Sequence, residues 1–405
     1  MKYCRKCLYP ECSAIPLTFD DNGICSGCRI SEEKKKIDWE ERAKLLEKVF
    51  DRYRSKDGSN YDCIIPVSGG KDSHFQTYIV KEVYGMNPLL VTYNHQFNTA
   101  KGIRNLTNMV VKFGCDHVRF TPNPQLLPRL MRVSLEKMGD PCWHCHAGIF
   151  TFPVQVAVKF NIPLIVWGEQ VFMELGGMYS HNDMVEMTRK FRREHGMRGY
   201  DAEDMVDEKE NIRLSDLKWG IYPSDEEIER VGVRGIYLNN FIPWDPKAQT
   251  ELMIKEYEFE TSKQPRSFNC YDNVECPHCN GMHDYLKWLK FGYGRGTDHS
   301  VDLIRSGRMK RKTGIEMVRK YDSERPKDLD RLLKFMGVSE EQFVKSVENM
   351  RHPKAWKKNA SGEWEQTDTV MNHDEECVPE TVEKEEKEFI LTKNKPRKIK
   401  GYIVM

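Results

Sequence analysis

The sequence predicts an α/β fold built on a doubly wound parallel sheet, with an N-terminal zinc ribbon and a mostly helical C-terminal region. Three observations lead there. Residues 63–67 form an apolar run without alternation, as a strand buried on both faces requires, and it stops at Ser68-Gly69-Gly70 before a helical pattern opens at Asp72-Ser73. Further apolar runs alternate with helical stretches long enough for right-handed crossovers. Ahead of the sheet, Cys4/Cys7 and Cys25/Cys28 form two C-x2-C pairs at the spacing of a structural Zn²⁺ site.

Taken in order, residues 1–37 hold those cysteines and a tight-turn signal, Asp21-Asn22-Gly23, just before the second pair. So short a segment has little core of its own, so the metal is expected to hold it folded. Residues 40–54 carry Leu46, Val49, Phe50 and Tyr53 at helical spacing. After the 63–67 strand, residues 88–94 read as a second strand and 99–113 as a helix closed by Gly114. Residues 116–121 read as a third strand, 125–138 as a helix closed by Gly139, and 147–160 as another helix. A fourth strand spans 162–167 and ends at Gly168-Glu169; a fifth spans 235–242, broken by Pro243-Trp244-Asp245-Pro246. Residues 181–230 are dense in both charge signs and read as a solvated helical insertion, with a lid over the site as the other reading. Residues 370–395 read as a peripheral helix followed by a basic tail. The expected units are 1–37, a nucleotide-binding domain over 38–250, a substrate or partner region over 251–360, and a peripheral 361–405.

Net charge is +1 with 31% charged residues, which leaves no overall field to hold nucleic acid. The N-terminus lacks an apolar signal region, and no run approaches the roughly 18 apolar residues of a membrane span. A cytoplasmic protein with no membrane partner is expected. In that compartment thirteen cysteines point to metal sites before disulfides.

A strand running through Gly-Gly into a helix N-terminus makes an anion site, because free N–H groups and the helix dipole both favour negative charge. The Walker spacing and the dinucleotide fingerprint are both absent. What stands here, Pro66-Val67-Ser68-Gly69-Gly70-Lys71-Asp72-Ser73, resembles the PP-loop of the ATP pyrophosphatases, whose fold is of the adenine nucleotide alpha hydrolase type. The resemblance implies ATP, with Lys71 and the 68–73 loop on the phosphates and Mg²⁺ on the leaving charge. Asp72 is a candidate for that metal or else for capping the helix. Ligands of such sheets sit beyond the carboxyl ends of the strands, which is expected to bring Thr92, Tyr93, Asn94, Gly168 and Glu169 around one crevice with the loop.

A second cysteine set follows. Cys142-x2-Cys145 precedes a helix, and Cys276-x2-Cys279 comes about 130 residues later, with His144, His146, His278 and His283 nearby. A second four-cysteine zinc site, a mixed Cys/His site, an iron–sulfur cluster as in some tRNA-thiolating PP-loop enzymes, and unligated thiols all remain open.

A wider resemblance joins these pieces. The two N-terminal pairs, the loop, Asn98-Thr99 with Gly102 and Asn105-Leu106, Cys142/Cys145-His146 and Trp167-Gly168-Glu169 occur in order. They are followed by Gly235-Ile236-Tyr237, Ile242-Pro243-Trp244-Asp245, the Gly294-Arg295-Gly296-Thr297-Asp298 stretch and Arg305-Ser306-Gly307-Arg308. In this the chain, from residue 1 to about 350, resembles the N-acetyl sugar amidotransferase family of surface-polysaccharide and nonulosonic acid biosynthesis. The resemblance implies that the oxygen of an acetamido group on a sugar is adenylated and then replaced by ammonia, giving an acetamidino sugar, AMP and pyrophosphate. It also implies ammonia from a separate glutaminase and a barrel-type partner; the chain has no glutaminase-like nucleophile elbow of its own. Arg295, Arg305 and Arg308 are candidates for an anionic sugar substrate. Asn105 and Glu169 are further catalytic candidates. A tRNA-modifying PP-loop enzyme and a non-catalytic nucleotide-binding protein are the rival expectations.

Overall fold

In a computed structural model, which describes residues 1–374 and 377–378, five parallel strands form the centre of the chain. They are β1 (Cys63–Pro66), β2 (Pro88–Tyr93), β3 (His117–Phe120), β4 (Leu164–Trp167) and β5 (Arg234–Tyr237), in the order β3-β2-β1-β4-β5. Ile64 pairs with Leu89 on one side and with Ile165 on the other. Side chains alternate between the faces, as the two-residue period demands. Ile65, Leu90, Val166 and Ile236 enter one core, and Ile64, Leu89, Val91 and Ile165 enter the core on the opposite face. The sheet thus has both faces covered, which explains the unbroken apolar runs.

The first face is covered by α2 (Trp39–Tyr53), α3 (Lys71–Thr77, continued by a π-helical turn over Tyr78–Val83), α4 (Ala100–Phe113) and, later in the chain, Pro246–Tyr257. Asp38 caps α2 through the Glu40 and Glu41 N–H groups, and Gly114 ends α4 in the left-handed conformation. α5 (Leu127–Met138) lies beyond β3, and α6 (Trp143–Phe160) covers the opposite face. α6 begins four residues before the predicted start, with Cys142 as its N-cap residue.

At Gly148 of α6 the helix rests on the Tyr93 ring, so close that an added Cβ would lie 2.3 Å from ring atoms. Gly148→Ala should therefore lift α6 from β2 and destabilise the protein by about 2 kcal/mol. Chemical denaturation would register this; an unchanged midpoint would contradict the close approach.

Residues 181–230 depart from both expectations. They form short helical turns and one seven-residue α-helix, Asp225–Val231, and bury Met187, Phe191, Met197, Met205, Ile212, Leu217 and Trp219 against α6 and the sheet edge. Met187 bridges to Gly235 of β5. The segment follows the contour of α6, so its apolar residues carry no regular period.

The C-terminal region is helical as expected: α7 (Pro277–Phe291), α8 (Arg295–Arg305), α9 (Arg311–Tyr321), α10 (Leu329–Met336) and α11 (Glu340–Ser346), followed by a small hairpin over Trp356–Lys358 and Trp364–Gln366. It does not stand apart. Leu329, Leu332 and Met336 share a core with Met131 and Leu135 of α5. The N-terminal module shares one with α8 and α9, where Cys4, Cys7, Leu8 and Cys28 meet Val301, Ile304, Ile315 and Val318. Of the predicted peripheral helix over 370–395, Val370–Asn372 form a single short turn, and everything from 379 on lies outside the described residues.

Candidate functional site

Strand order reverses between β1 and β4, and a crevice opens outside the carboxyl ends of strands at such a switch point. The loop after β1 and the Gly168-Glu169 turn after β4 face each other there. A cavity of ≈ 550 Å³ fills the space, lined by Ser68, Gly70, Lys71, Asp72, Glu169, Trp244, Asp272, Glu275, Asp302 and others.

The loop itself is tightly tied. The Ser68 N–H donates to Ser73 Oγ at 2.9 Å, and the Gly70 N–H donates to Ser68 Oγ at 3.1 Å. Gly69 has φ +86° and packs against Leu106 of α4, so a side chain there would be both strained and blocked. The Lys71 Nζ is buried and bridges two carboxylates, Asp72 at 2.6 Å and Asp272 at 3.0 Å. Burial disfavours the ammonium, but Asp272, Asp72 and Glu169 outweigh it and hold Lys71 firmly protonated. Asp272 is half-buried, and Lys71 with His299 holds its carboxyl below the usual carboxylate range; His299 Nε2 lies 3.3 Å from it.

Glu169 behaves oppositely: burial, then the Asp72 charge, pushes it up to about 8. It carries a proton at neutral pH in the fold and loses it in the unfolded chain above about pH 4.3. A raised carboxyl stabilises the fold below its unfolded value, and that contribution is lost as pH rises through the folded one. Stability without ligand should therefore fall between roughly pH 4.5 and 8, by about 2 kcal/mol once solvent in the cavity is allowed for. Glu169→Gln should flatten that part of the profile. Urea unfolding across the range reads it, and an unchanged slope in the variant would refute the assignment.

The remaining predicted residues divide sharply. Arg295, Arg305 and Arg308 line the cavity, but each is held by internal acceptors. Arg295 forks onto Asp284 at 2.8 and 2.9 Å, and Arg308 onto Asp245. Arg305 donates to the Glu174 and Leu175 carbonyls and approaches Cys25 Sγ at 3.5 Å. Their first role is to fix the walls.

Thr92, Tyr93, Asn94 and Gly168 do not border the cavity. β2 lies on the far side of β1 from the switch point, and strand order was not legible from local sequence. Thr92 donates to the Val67 carbonyl, Tyr93 packs against Phe120 and Trp219, and Asn94 donates to Thr121. Gly168 gives room to Gln76 and Trp244. Pro66 ends β1 and Val67 follows it, and both act as support for the loop. Asn105 is buried, and its amide exchanges two hydrogen bonds with the Glu260 backbone, at 3.0 and 2.9 Å, so it braces α4 and is not placed for chemistry.

Asp272, Glu275 and His299 are the residues that sequence reasoning missed. Glu275 accepts from Ser68 Oγ at 3.0 Å, and its backbone carbonyl accepts from the Thr99 N–H at 3.0 Å. For Asp272 and Glu275 the local signal was nearness to Cys276, in a segment whose irregular backbone leaves no periodic pattern; His299 directly follows the Gly294–Asp298 stretch on α8.

The N-terminal cysteines do come together. Cys4 Sγ lies 3.9 Å from Cys28 Sγ, and Cys7 Sγ 3.7 Å from Cys25 Sγ. Zn–S bonds of about 2.3 Å in a tetrahedron require sulfurs about 3.8 Å apart, so all four buried cysteines fit a zinc ion. The Cys7 and Cys25 N–H groups donate to Cys4 Sγ, as such a thiolate site favours. In the second set, Cys142 Sγ lies 3.1 Å from Cys279 Sγ, and Asp140, Cys142 and His283 form a further ligand-like group. Among the described residues no helix is long and apolar enough to cross a membrane.

Residues 256–371 match the family described as LPS biosynthesis protein WbpG-like, C-terminal domain. An uncharacterized protein of Methanocaldococcus jannaschii, MJ1599, is 22% identical over 216 residues, 53% of this chain and 73% of that protein. Among solved structures, NMN synthetase from Francisella tularensis aligns with a TM-score of 0.28 and 12% identity, over 48% of this chain and 92% of that one. The C-terminal part of the chain is thus similar to a domain of lipopolysaccharide biosynthesis proteins, and it supplies Asp272, Glu275 and the three arginines to the cavity.

Proposed function

We propose that the chain is an ATP-dependent amidotransferase that adenylates the acetamido oxygen of an N-acetyl sugar and replaces it with ammonia, giving an acetamidino sugar, AMP and pyrophosphate. The observation that carries this reading is the Lys71 ammonium at the floor of the cavity, one residue inside a helix entered through Ser-Gly-Gly. The first N–H groups of a helix have no intrahelical acceptors, so loop, ammonium and dipole together suit a departing pyrophosphate. Asp72 and Asp272 face the same space and suit Mg²⁺, which would supply charge neutralisation on the phosphate oxygens.

The likeness of residues 256–371 to a lipopolysaccharide biosynthesis domain supports a sugar as the second substrate. Adenylation turns an inert amide oxygen into a phosphate ester that can leave. Attack by ammonia at the amide carbon then expels AMP. Glu169, protonated at neutral pH, is positioned to give or receive a proton within this cavity. Ammonia would come from a separate glutaminase subunit working with a barrel-type partner, so the isolated chain should use free ammonium and be inert with glutamine alone.

The experiment combines ATP, Mg²⁺ and ammonium with nucleotide-linked acetamido sugars and nonulosonic acids. Sugar-dependent pyrophosphate release and a product lighter by the difference between O and NH are expected. Release driven by bulk tRNA and by no sugar would instead assign the site to RNA modification.

A further inference from the structure

The second cysteine set lies directly against the candidate nucleotide site, and its construction is regular. Cys142 and Cys276 are the N-cap residues of α6 and α7, and each is followed three residues later by a second cysteine in the first turn. Helix N-termini favour thiolates, and here two of them bring their C-x2-C turns into one place, with Cys142 Sγ 3.1 Å from Cys279 Sγ. Cys145 and Cys276, only partly buried, stand on the same two turns, and Cys276 is hydrogen-bonded to Cys279.

The surroundings are those of a ligated thiolate centre rather than of four packed thiols. Asp140 is fully buried, accepts from the Cys142 N–H at 2.9 Å and lies 3.0 Å from His283 Nδ1, with Arg198 on its other side. Outer-shell carboxylates and imidazoles of this kind orient metal ligands. An apolar core with Met131, Leu135 and Met282 lies below the sulfurs, and His95 is hydrogen-bonded to Cys276.

Glu275 precedes Cys276 and accepts from Ser68 Oγ of the phosphate loop; its other carboxylate oxygen is buried without a hydrogen-bond partner. Asp272, three residues earlier, holds Lys71. Val274 and Glu275 are pinned to Thr99 at the start of α4. The four cysteines are therefore the fixed end of the strap that carries Asp272 and Glu275 across the loop.

We propose that Cys142, Cys145, Cys276 and Cys279 hold a second thiolate-ligated metal centre, and that its occupancy sets the position of the 272–275 strap over the phosphate loop. The shared chemistry is soft-metal ligation by thiolates, which Zn²⁺ and an iron–sulfur cluster both satisfy. The metal site rests on the two paired C-x2-C turns, the Cys142–Cys279 approach and the Asp140/His283 surroundings, and its effect on ATP rests on the function proposed above.

Protein purified anaerobically under reducing conditions is analysed for zinc, iron and labile sulfide, alongside Cys145→Ser, Cys276→Ser and, for reference, Cys4→Ser. The wild type should carry metal beyond the single equivalent that the N-terminal set accounts for. Zinc alone identifies a mononuclear site, and iron with sulfide a cluster. Cys145→Ser and Cys276→Ser should lose that excess while keeping the N-terminal equivalent, and their circular dichroism should stay native. Their ATP affinity, by equilibrium titration with Mg²⁺, should fall about tenfold. Should either variant misfold, Cys279→Ser gives the same comparison with the N-terminal set intact. Metal limited to the N-terminal equivalent, or a Cys142–Cys279 disulfide in the native protein, would overturn the centre. Excess metal whose removal leaves ATP affinity unchanged would overturn the strap. Wild-type protein that holds the metal but binds no ATP would count against the function and not the centre.

Discussion

Replacing Lys71 by Met is expected to cut sugar-dependent pyrophosphate release by roughly 10²–10³-fold, the scale on which preorganised charge acts on a transition state. The ammonium is buried between Asp72 and Asp272 and is the cationic group at the mouth of the loop's helix. It serves two ends at once. Toward the ligand it offers positive charge where pyrophosphate leaves; toward the fold it neutralises carboxylates that would otherwise repel both each other and ATP. Removing it should therefore weaken nucleotide binding and destabilise the protein, since breaking a buried ion pair strands its partners. Lys71→Arg should recover stability better than turnover, because a planar fork does not replace a compact ammonium in a fixed space. A Lys71→Met enzyme turning over within about threefold of wild type would contradict this role.

The second large effect concerns the N-terminal cysteines. Stripping the metal from Cys4, Cys7, Cys25 and Cys28 is expected to remove most of the stability of this end of the molecule, since structural zinc contributes on the order of 10 kcal/mol to small metal-held modules. The consequence should spread. Leu8 and the cysteines form one core with Val301, Ile304 and Ile315, and Arg305 joins Cys25 to the Glu174 and Leu175 carbonyls at the cavity wall. Chelation should therefore lower ATP affinity as well as the unfolding temperature, although no cysteine of this set lines the cavity. Calorimetry and nucleotide titration on the same chelated sample test it. An unfolding temperature within a few degrees of the untreated protein would argue against a metal in this set.

Much of the nucleotide domain was legible because its signals are local. Apolar runs without alternation marked β1, β2 and β4, and Gly114 and Gly139 marked helix ends through the left-handed conformation they adopt. The Ser68–Ser73 loop was legible because each of its residues has a backbone or charge duty. What was not legible depends on strand order and on irregular backbone. Thr92 to Asn94 were expected at the crevice, and only the position of β2 outside β1 removes them. Asn105 carried a family likeness, yet its amide is fully engaged by Glu260. Asp272 and Glu275 reach the loop from about 200 residues away in sequence, through a strap whose placement follows from the core that α7 shares with α10 and α5 rather than from any pattern within it. The segment over 181–230 looked solvated because its charges are frequent, while its buried residues follow the surface of α6 and not a helical period.

Oxygen-isotope transfer shows whether the acetamido oxygen is the atom activated by ATP. An acceptor sugar labelled with ¹⁸O in its acetamido carbonyl is converted with ATP, Mg²⁺ and ammonium, and the AMP is isolated for mass spectrometry. The label should appear in the AMP phosphate, in step with formation of the acetamidino sugar. Label retained in the sugar, with AMP carrying oxygen from solvent, would contradict it.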